Sequence, residues 1–162
     1  MARLAGQIAE KMSLSSREIE NIRIAATLHD IGKIGISDLT LTKTGSLSDD
    51  EFHQIKKHPL NGGRIVSEMR LHNYIVEGVL LHHKRFDLKG YPDIDIDSLP
   101  ISARIIGVAD AFDAMTSNRS YQNAKSFDEA LQELIKYSGS QFCPETVKAM
   151  DIVVVKIKSM TS

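Results

Sequence analysis

The sequence predicts an all-α domain, and three observations point to that fold class. Apolar residues recur every three or four positions along most of the 162 residues, which is the spacing of one buried helix face. Serines stand directly before several of these stretches, as helix N-caps do. Stretches that contain glycine or proline and lack apolar periodicity separate the helices. We expect one bundle of about seven helices without internal repeats.

Two helices are predicted before residue 32. Their apolar faces are Leu4, Ile8 and Met12 in the first helix and Ile19, Ile22, Ala26 and Ile31 in the second. Residues 13–16 interrupt this spacing and supply an N-cap for the second helix. His29 and Asp30 lie near the end of that helix, and Gly32 is expected to end it.

The middle of the chain is predicted to alternate helices and loops. Residues 48–51, Ser-Asp-Asp-Glu, have the acidic composition of a helix start. Residues 62–70 and 74–83 also have helical periodicity. Residues 86–100 contain prolines and aspartates with little periodicity and are predicted to form a loop. A long helix through Asp110 is expected after this loop.

Residues 126–138 and 144–158 are predicted to form the last two helices. Residues 152–155, Ile-Val-Val-Val, are β-branched, so a short strand is an alternative for this segment.

The composition limits the classes of function that the chain can serve. A net charge of -1 and an aromatic content of 6% argue against a general nucleic-acid binder. No window approaches the length of an apolar membrane span, and no targeting segment is visible. Cys143 is the only cysteine, which excludes an intramolecular disulfide and favours the cytoplasm as the compartment. We expect Cys143 to be inert, and any anionic substrate to be held by a local cationic cluster.

Histidine and aspartate occur together where the second helix ends. Adjacent residues on a helix point about 100° apart, so His29 and Asp30 can ligate one metal more easily from a helix end than from its middle. A carboxylate has two oxygens and can bridge two cations, which makes Asp30 the candidate bridge. Lys33 follows at a spacing that places its amine on the same side, within reach of a phosphate.

A second histidine pair, His82 and His83, closes another predicted helix. Asp110 would add a carboxylate and His58 one more nitrogen. Nitrogen and oxygen ligands suit iron, manganese or zinc. Two such metals about 4 Å apart can hold a hydroxide as nucleophile and clamp a phosphodiester.

The remaining histidines and acidic residues have less specific surroundings. His53 and His72 lie among polar residues and are expected at the surface. Asp93, Asp95 and Asp97 alternate like calcium ligands, but the EF-hand glycine and glutamate are missing. We expect a solvated acidic loop there.

Taken in order, the motifs resemble the HD-GYP family of HD phosphohydrolases over nearly the whole chain. They are His29-Asp30-Ile31-Gly32-Lys33, His58, His82-His83, Gly90-Tyr91-Pro92, Val108-Ala109-Asp110 and Arg119-Ser120-Tyr121. The resemblance implies a single HD-type helical bundle over residues 1–162. It also implies a centre of two or three metals, often iron, that hydrolyses cyclic di-GMP or a related cyclic dinucleotide.

The resemblance carries roles over to particular positions. The metal ligands implied are His29, Asp30, His58, His82, His83 and Asp110. Lys33 and Arg119 are implied as phosphate contacts, and Gly90, Tyr91 and Pro92 as the signature loop beside the site. The expected catalytic residues are Asp30 and Lys33, acting with a metal-bridged hydroxide. We expect two divalent metals, with iron or manganese preferred and zinc or nickel possible.

The chain departs from the family pattern at several places. Lys84 stands where the family usually has glutamate, and Cys143 where it usually has aspartate. Further ligands commonly precede the stretch that Met1–Leu4 continues, so we expect a first helix that is truncated at its N-terminus. An excised domain, a natural truncation and a member with a reduced metal centre are all compatible with this start.

Two other functions are weighed against the phosphodiesterase. One is a weakly active or inactive module whose Gly90-Tyr91-Pro92 loop docks on a partner, such as a diguanylate cyclase domain of the GGDEF type or a sensory or receiver domain. The other is a phosphohydrolase for monomeric nucleotides, which does not account for that loop. No nucleic acid is expected as a partner, and no membrane segment is expected in this chain.

Overall fold

The computed structural model describes residues 1–117 and 124–161. Within them lie nine α-helices and one 3₁₀ helix, and these residues form no β-strand. The helices are α1 (Ala2–Lys11), α2 (Ser16–Leu28), the 3₁₀ helix (Ile31–Gly35), α3 (Asp38–Leu41), α4 (Asp49–Lys56), α5 (His58–Glu68), α6 (Asn73–Leu81), α7 (Ile101–Thr116), α8 (Phe127–Lys136) and α9 (Pro144–Thr161). The predicted all-α class is confirmed. No helix in the described ranges has both the length and the apolar character needed to cross a membrane.

Three helices begin with the same pair of side-chain contacts. Ser15, Ser48 and Ser126 each accept a hydrogen bond from the backbone N–H three residues later, and the glutamate at that later position accepts one from the serine N–H. Such reciprocal caps satisfy N–H groups that lack a partner within the helix. Each cap is worth about 1 kcal/mol. They explain why α2, α4 and α8 begin where the serine and acidic signals predict.

Helix α7 is the centre of the bundle. Its residues Ile105, Ile106, Val108 and Ala109 are fully buried in the main core. Helices α1, α2, α6, α8 and α9 pack around it. Asp110 is the polar residue of α7 that faces the site described below, so the position of this carboxylate is fixed by the most buried helix.

A smaller core lies beneath the long loop before α7. Leu81, Leu99 and Ala103 form it, and Leu88 and Ile94 of the loop pack against them. Residues 86–100 contain no helix, as predicted, whereas the helix predicted to reach residue 83 ends at Leu81. Residues 152–155 are helical, because their position in α9 buries Val153 and Val154 against the main core and overrides their β propensity.

The region around Gly32 differs from the expectation. Helix α2 ends at Leu28, before the glycine, and Gly32 lies inside the 3₁₀ helix. A Cβ atom at position 32 would lie 2.0 Å from the His58 carbonyl oxygen and 2.5 Å from the Gly62 nitrogen. Gly32 therefore permits the backbone of the 3₁₀ helix to approach α5 closely, and this approach brings Asp30 and His58 together.

Candidate metal centre

Three histidines follow helix ends and are oriented in the same way. The Nδ1 atoms of His29, His58 and His82 lie 2.9, 2.7 and 2.7 Å from the carbonyl oxygens of the residues three positions earlier. A carbonyl only accepts, so each Nδ1 carries the proton and donates it. In the neutral imidazoles of His58 and His82, Nε2 is therefore unprotonated and turned inward. Such bonds are the usual means of orienting a histidine that ligates a metal.

The inward-facing atoms form one connected cluster. His58 Nε2 lies 3.2 Å from His82 Nε2 and 3.3 Å from Asp30 Oδ1. His29 Nε2 lies 3.4 Å from Asp30 Oδ2 and 3.6 Å from Asp110 Oδ1. Ring nitrogens of His58, His82 and His83 lie within 4.8 Å of one another. All the residues predicted as metal ligands thus meet at one place.

The buried side of this cluster is electrically neutral. Burial lowers the pKa of His58, and burial together with the neighbouring His83 lowers that of His82 well below its ordinary value. Burial also lowers the pKa of His83 to about 4. Near neutral pH these imidazoles are uncharged, which is the state that binds a cation.

The other side of the cluster carries charge. Burial opposes ionisation of Asp110, but the hydrogen bond to His29 outweighs it and lowers the Asp110 pKa to about 2. Burial likewise lowers the pKa of His29, yet its contacts with Asp110 and Asp30 leave that pKa raised. Two carboxylates therefore face His29 from two helical segments.

Lys33 occupies the open edge of the cluster. Its Nζ lies 2.7 Å from Asp30 Oδ2, and both side chains remain partly exposed to solvent. The short spacing in the 3₁₀ helix places the amine and the carboxylate on the same side, as the sequence suggested. A substrate phosphate that approaches Asp30 would meet the Lys33 amine.

The signature loop lies against His83. The Tyr91 ring stacks on the His83 ring with centroids 4.7 Å apart. Burial raises the pKa of the Tyr91 hydroxyl to about 12, so it stays protonated. Gly90 has φ +83°, and a Cβ there would lie 2.6 Å from the His83 carbonyl oxygen. Glycine is thus required for the loop to approach the site.

The donor set fits a divalent cation on two structural grounds. Asp30 Oδ1 is buried and has no hydrogen-bond partner within the described residues. The Nε2 atoms of His58 and His82 face each other at 3.2 Å although both Nδ1 atoms hold the protons. Two lone pairs and a carboxylate oxygen directed at one point are satisfied by a cation.

Other predicted residues lie elsewhere. Arg119 is outside the described residues, so its predicted phosphate contact stays a prediction. His53 and His72 are exposed, as are Asp93, Asp95 and Asp97, and Cys143 is buried. His72 has a structural role that sequence reasoning missed, because its Nδ1 caps α6 by accepting from the Tyr74 N–H.

Two cavities adjoin the centre, and neither was visible in the sequence. A cleft of 640 Å³ borders Lys33 and is lined by Thr40, Lys43, Thr44, Ser46 and Leu47 between α3 and α4. A smaller pocket of 60 Å³ lies beyond His83 and includes Lys84. Long-range packing brings these residues together, and no local motif signals it.

An all-α bundle with a histidine and carboxylate cluster at its helix ends defines a metal-binding helical domain. Residues 1–146 match the family described as HD domain. The chain belongs to the HD domain family.

Relatives of known description extend this result. A cyclic di-GMP phosphodiesterase of Thermotoga maritima is 44% identical over 149 residues, which are 90% of this chain and 40% of that protein. The cyclic di-GMP phosphodiesterase response regulator RpfG of Xanthomonas campestris is 42% identical over 154 residues, 93% of this chain and 40% of that protein. The chain thus spans less than half the length of these curated relatives.

A solved structure shares the fold. Bd1817, described as an HDG"Y"P protein from Bdellovibrio bacteriovorus, superimposes with a TM-score of 0.75 at 16% identity. The match covers 94% of this chain and 49% of that one. Together with the relatives, it confirms the resemblance to HD-GYP proteins.

Proposed function

We propose that this chain is the catalytic domain of a metal-dependent phosphodiesterase that hydrolyses cyclic di-GMP or a related cyclic dinucleotide. The observation that carries the proposal is the convergence of His29, Asp30, His58, His82 and Asp110 on one point beside the partly exposed amine of Lys33. The activity named for the relatives from Thermotoga and Xanthomonas supports the choice of substrate.

Each side chain has a role that follows from its surroundings. Asp30 places Oδ1 beside His58 and Oδ2 beside His29, so its two oxygens would be able to hold two cations. His58, His82 and His83 supply neutral nitrogens, and His29 and Asp110 complete the ligand set. Lys33 neutralises charge that develops on the phosphate oxygens in the transition state. Arg119 is proposed as a second phosphate contact.

We infer two divalent metals, with iron or manganese preferred over zinc or nickel. Mixed imidazole and carboxylate donors suit these ions. Bound cations supply Lewis-acid polarisation of the phosphoryl oxygens and lower the pKa of an attacking water. The number of donors in the cluster supports more than one ion.

The cleft beside Lys33 supports a substrate larger than a single phosphate. Its 640 Å³ lies within the range of about 300–1,000 Å³ that is usual for small-ligand sites. Thr40, Thr44 and Ser46 supply hydroxyl groups, while Leu47 and Ile55 supply an apolar wall. A nucleotide whose phosphate contacts Lys33 can place its base in this cleft.

The alternative of a docking module is less well supported. Tyr91, the aromatic residue of the signature loop, packs inward on His83 instead of facing a partner. A GGDEF-type cyclase or a sensory or receiver domain as partner, and the cytoplasm as location, stay proposals from the sequence.

The first test measures metal content and turnover on the same anaerobically purified sample. Elemental analysis should give about two metals per chain, and chromatography should show loss of cyclic di-GMP. Bis(p-nitrophenyl) phosphate serves as a second substrate, because it needs the metal centre but has no nucleobase. Protein that lacks metal and hydrolyses neither substrate after iron or manganese is supplied would overturn the proposal.

A further inference from the structure

A buried lysine lies directly beyond the metal centre. Lys84 is only 7% exposed, although lysine is among the residues least often buried without a partner. Its amine has no hydrogen-bond or ion-pair partner among the residues that the structure describes. The buried stem of Lys84 carries its amine to the edge of a pocket, so the residues that line this pocket indicate what the amine could bind.

The surroundings are cationic. Lys84 lines a pocket of 60 Å³ together with Arg85, Arg104, Gln141 and Cys143. None of the described residues that line this pocket is acidic. Asp87 holds Arg85 through two hydrogen bonds of 3.0 Å, but Arg104 directs its Nε to a backbone carbonyl, that of Leu99. Two of the three positive charges therefore lack a paired acid in the described part of the chain.

The nearest acidic side chain does not fill this role. Glu145 is exposed to solvent and accepts a hydrogen bond of 2.8 Å from the Cys143 thiol. Glu145 does not line the pocket, and it forms no ion pair with Lys84. The positive potential of the pocket is thus left for a ligand.

We propose that this pocket binds a small tetrahedral oxyanion of the inorganic phosphate class. One bound water needs roughly 10–15 Å³ of cavity volume. The pocket of 60 Å³ therefore has room for about four waters, or for one tetrahedral oxyanion in place of them. The planar guanidinium of Arg104 and the amine of Lys84 are the donors that phosphate prefers. A complete nucleotide does not fit.

The site is separate from the substrate site. His83 borders both the pocket and the metal centre, but Asp30, Lys33 and His58 do not line the pocket. An anion bound here stabilises the turn that follows His83. It does so without contact with the reacting phosphate.

The test uses metal-free protein and inorganic phosphate, with sodium chloride at matched ionic strength as the blank. Phosphate at ten times its Kd should raise the melting temperature by about 3–5 °C. The rise should persist in Lys33→Met, which removes the cation of the substrate site. It should also persist in Lys156→Met, a control on the exposed face of α9.

The decisive variant is Lys84→Met, which keeps the volume of the side chain and removes the charge. Its melting temperature without phosphate should lie within about 2 °C of that of the unmodified protein, because methionine keeps the packing of the buried stem. Phosphate should then raise it by less than about 1 °C. Equal stabilisation by phosphate in Lys84→Met, or none in the unmodified protein, overturns the proposal. If the rise in melting temperature with phosphate is lost only in Lys33→Met, the anion binds at the substrate site, and this result also overturns the proposal.

Discussion

Two helix ends meet at the metal centre with similar residue pairs in different surroundings. His29 and Asp30 follow α2 and lie at the open edge, where Asp30 is 40% exposed and contacts Lys33. His82 and His83 follow α6, and His82 is 3% exposed. The first pair carries charge, while the second is kept neutral by burial. Under the proposed function, we expect the open pair to contact substrate as well as metal and the buried pair only to hold metal.

Removing the bridging carboxylate should give the largest effect at the open end. Asp30→Ala deletes an oxygen toward His58 and one toward Lys33, so bound metal and hydrolysis should be lost together. Turnover should fall by more than about 10³-fold, which is more than the loss of a single electrostatic donor causes. Asp50→Ala, at an exposed position in the first turn of α4, should behave as the unmodified protein. An active Asp30→Ala protein that retains its metal would refute the bridging role.

Lys33→Ala should separate substrate binding from metal binding at the same end. Loss of a hydrogen bond to a charged phosphate should lower kcat/KM for cyclic di-GMP by about 10- to 100-fold. Metal content should stay unchanged, because no predicted ligand is removed. Lys11→Ala, on the exposed side of α1, is the matched control. Coincident loss of metal would show that the lysine has been assigned the wrong role.

The contact that seats the open pair against α5 can be tested with two glycines of the 3₁₀ helix. Gly32→Ala places a Cβ against the His58 carbonyl, whereas a Cβ at Gly35 meets no atom within 4 Å. Overpacking of this kind should lower the melting temperature of Gly32→Ala by about 5–10 °C. Gly35→Ala should change it by no more than about 2 °C. Equal melting temperatures for the two variants would mean that the 3₁₀ helix can move away from α5 at little cost.

Acid should destabilise the metal-free protein through the buried pair. Below pH 6.5 the unfolded histidines take up protons, but folded His83 does so only near its pKa of about 4, and His82 and His58 are also lowered. The unfolded state then binds more protons than the folded state. The free energy of unfolding therefore decreases as the pH is lowered across this window. His29, with a raised pKa, works in the opposite direction but is a single group.

Thermal melts of the metal-free protein from pH 7 to pH 5 measure this effect. We expect a fall in melting temperature of at least about 5 °C. His83→Phe, which keeps an aromatic ring beside Tyr91, should make the melting temperature depend less steeply on pH. His53→Gln, at the surface, should leave this pH dependence unchanged. An unchanged slope in His83→Phe would contradict the neutral state assigned to the buried pair.

The sequence was sufficient for features that depend on neighbouring residues. Serine before an acidic turn placed the starts of α2, α4 and α8, and the ordered motifs identified the residues that meet at the centre. Features that depend on distant residues were not predicted. The 3₁₀ helix rests on contact between Gly32 and α5, and the burial of Lys84 rests on packing of the loop against α7 and residues near Cys143. The orientation of each imidazole also requires knowledge of which helix carbonyls are left without a partner.

The hydrogen bonds from the histidines to the helix carbonyls have a consequence for how the protein acquires its metals. His29, His58 and His82 are held by the backbone itself, through Ala26, Ile55 and Val79, and not by an ion. The imidazoles therefore keep their inward orientation while the centre is empty, and little conformational entropy remains to be lost on loading. We expect such a domain to fold first and bind its metal afterwards, and to exchange one ion for another without unfolding.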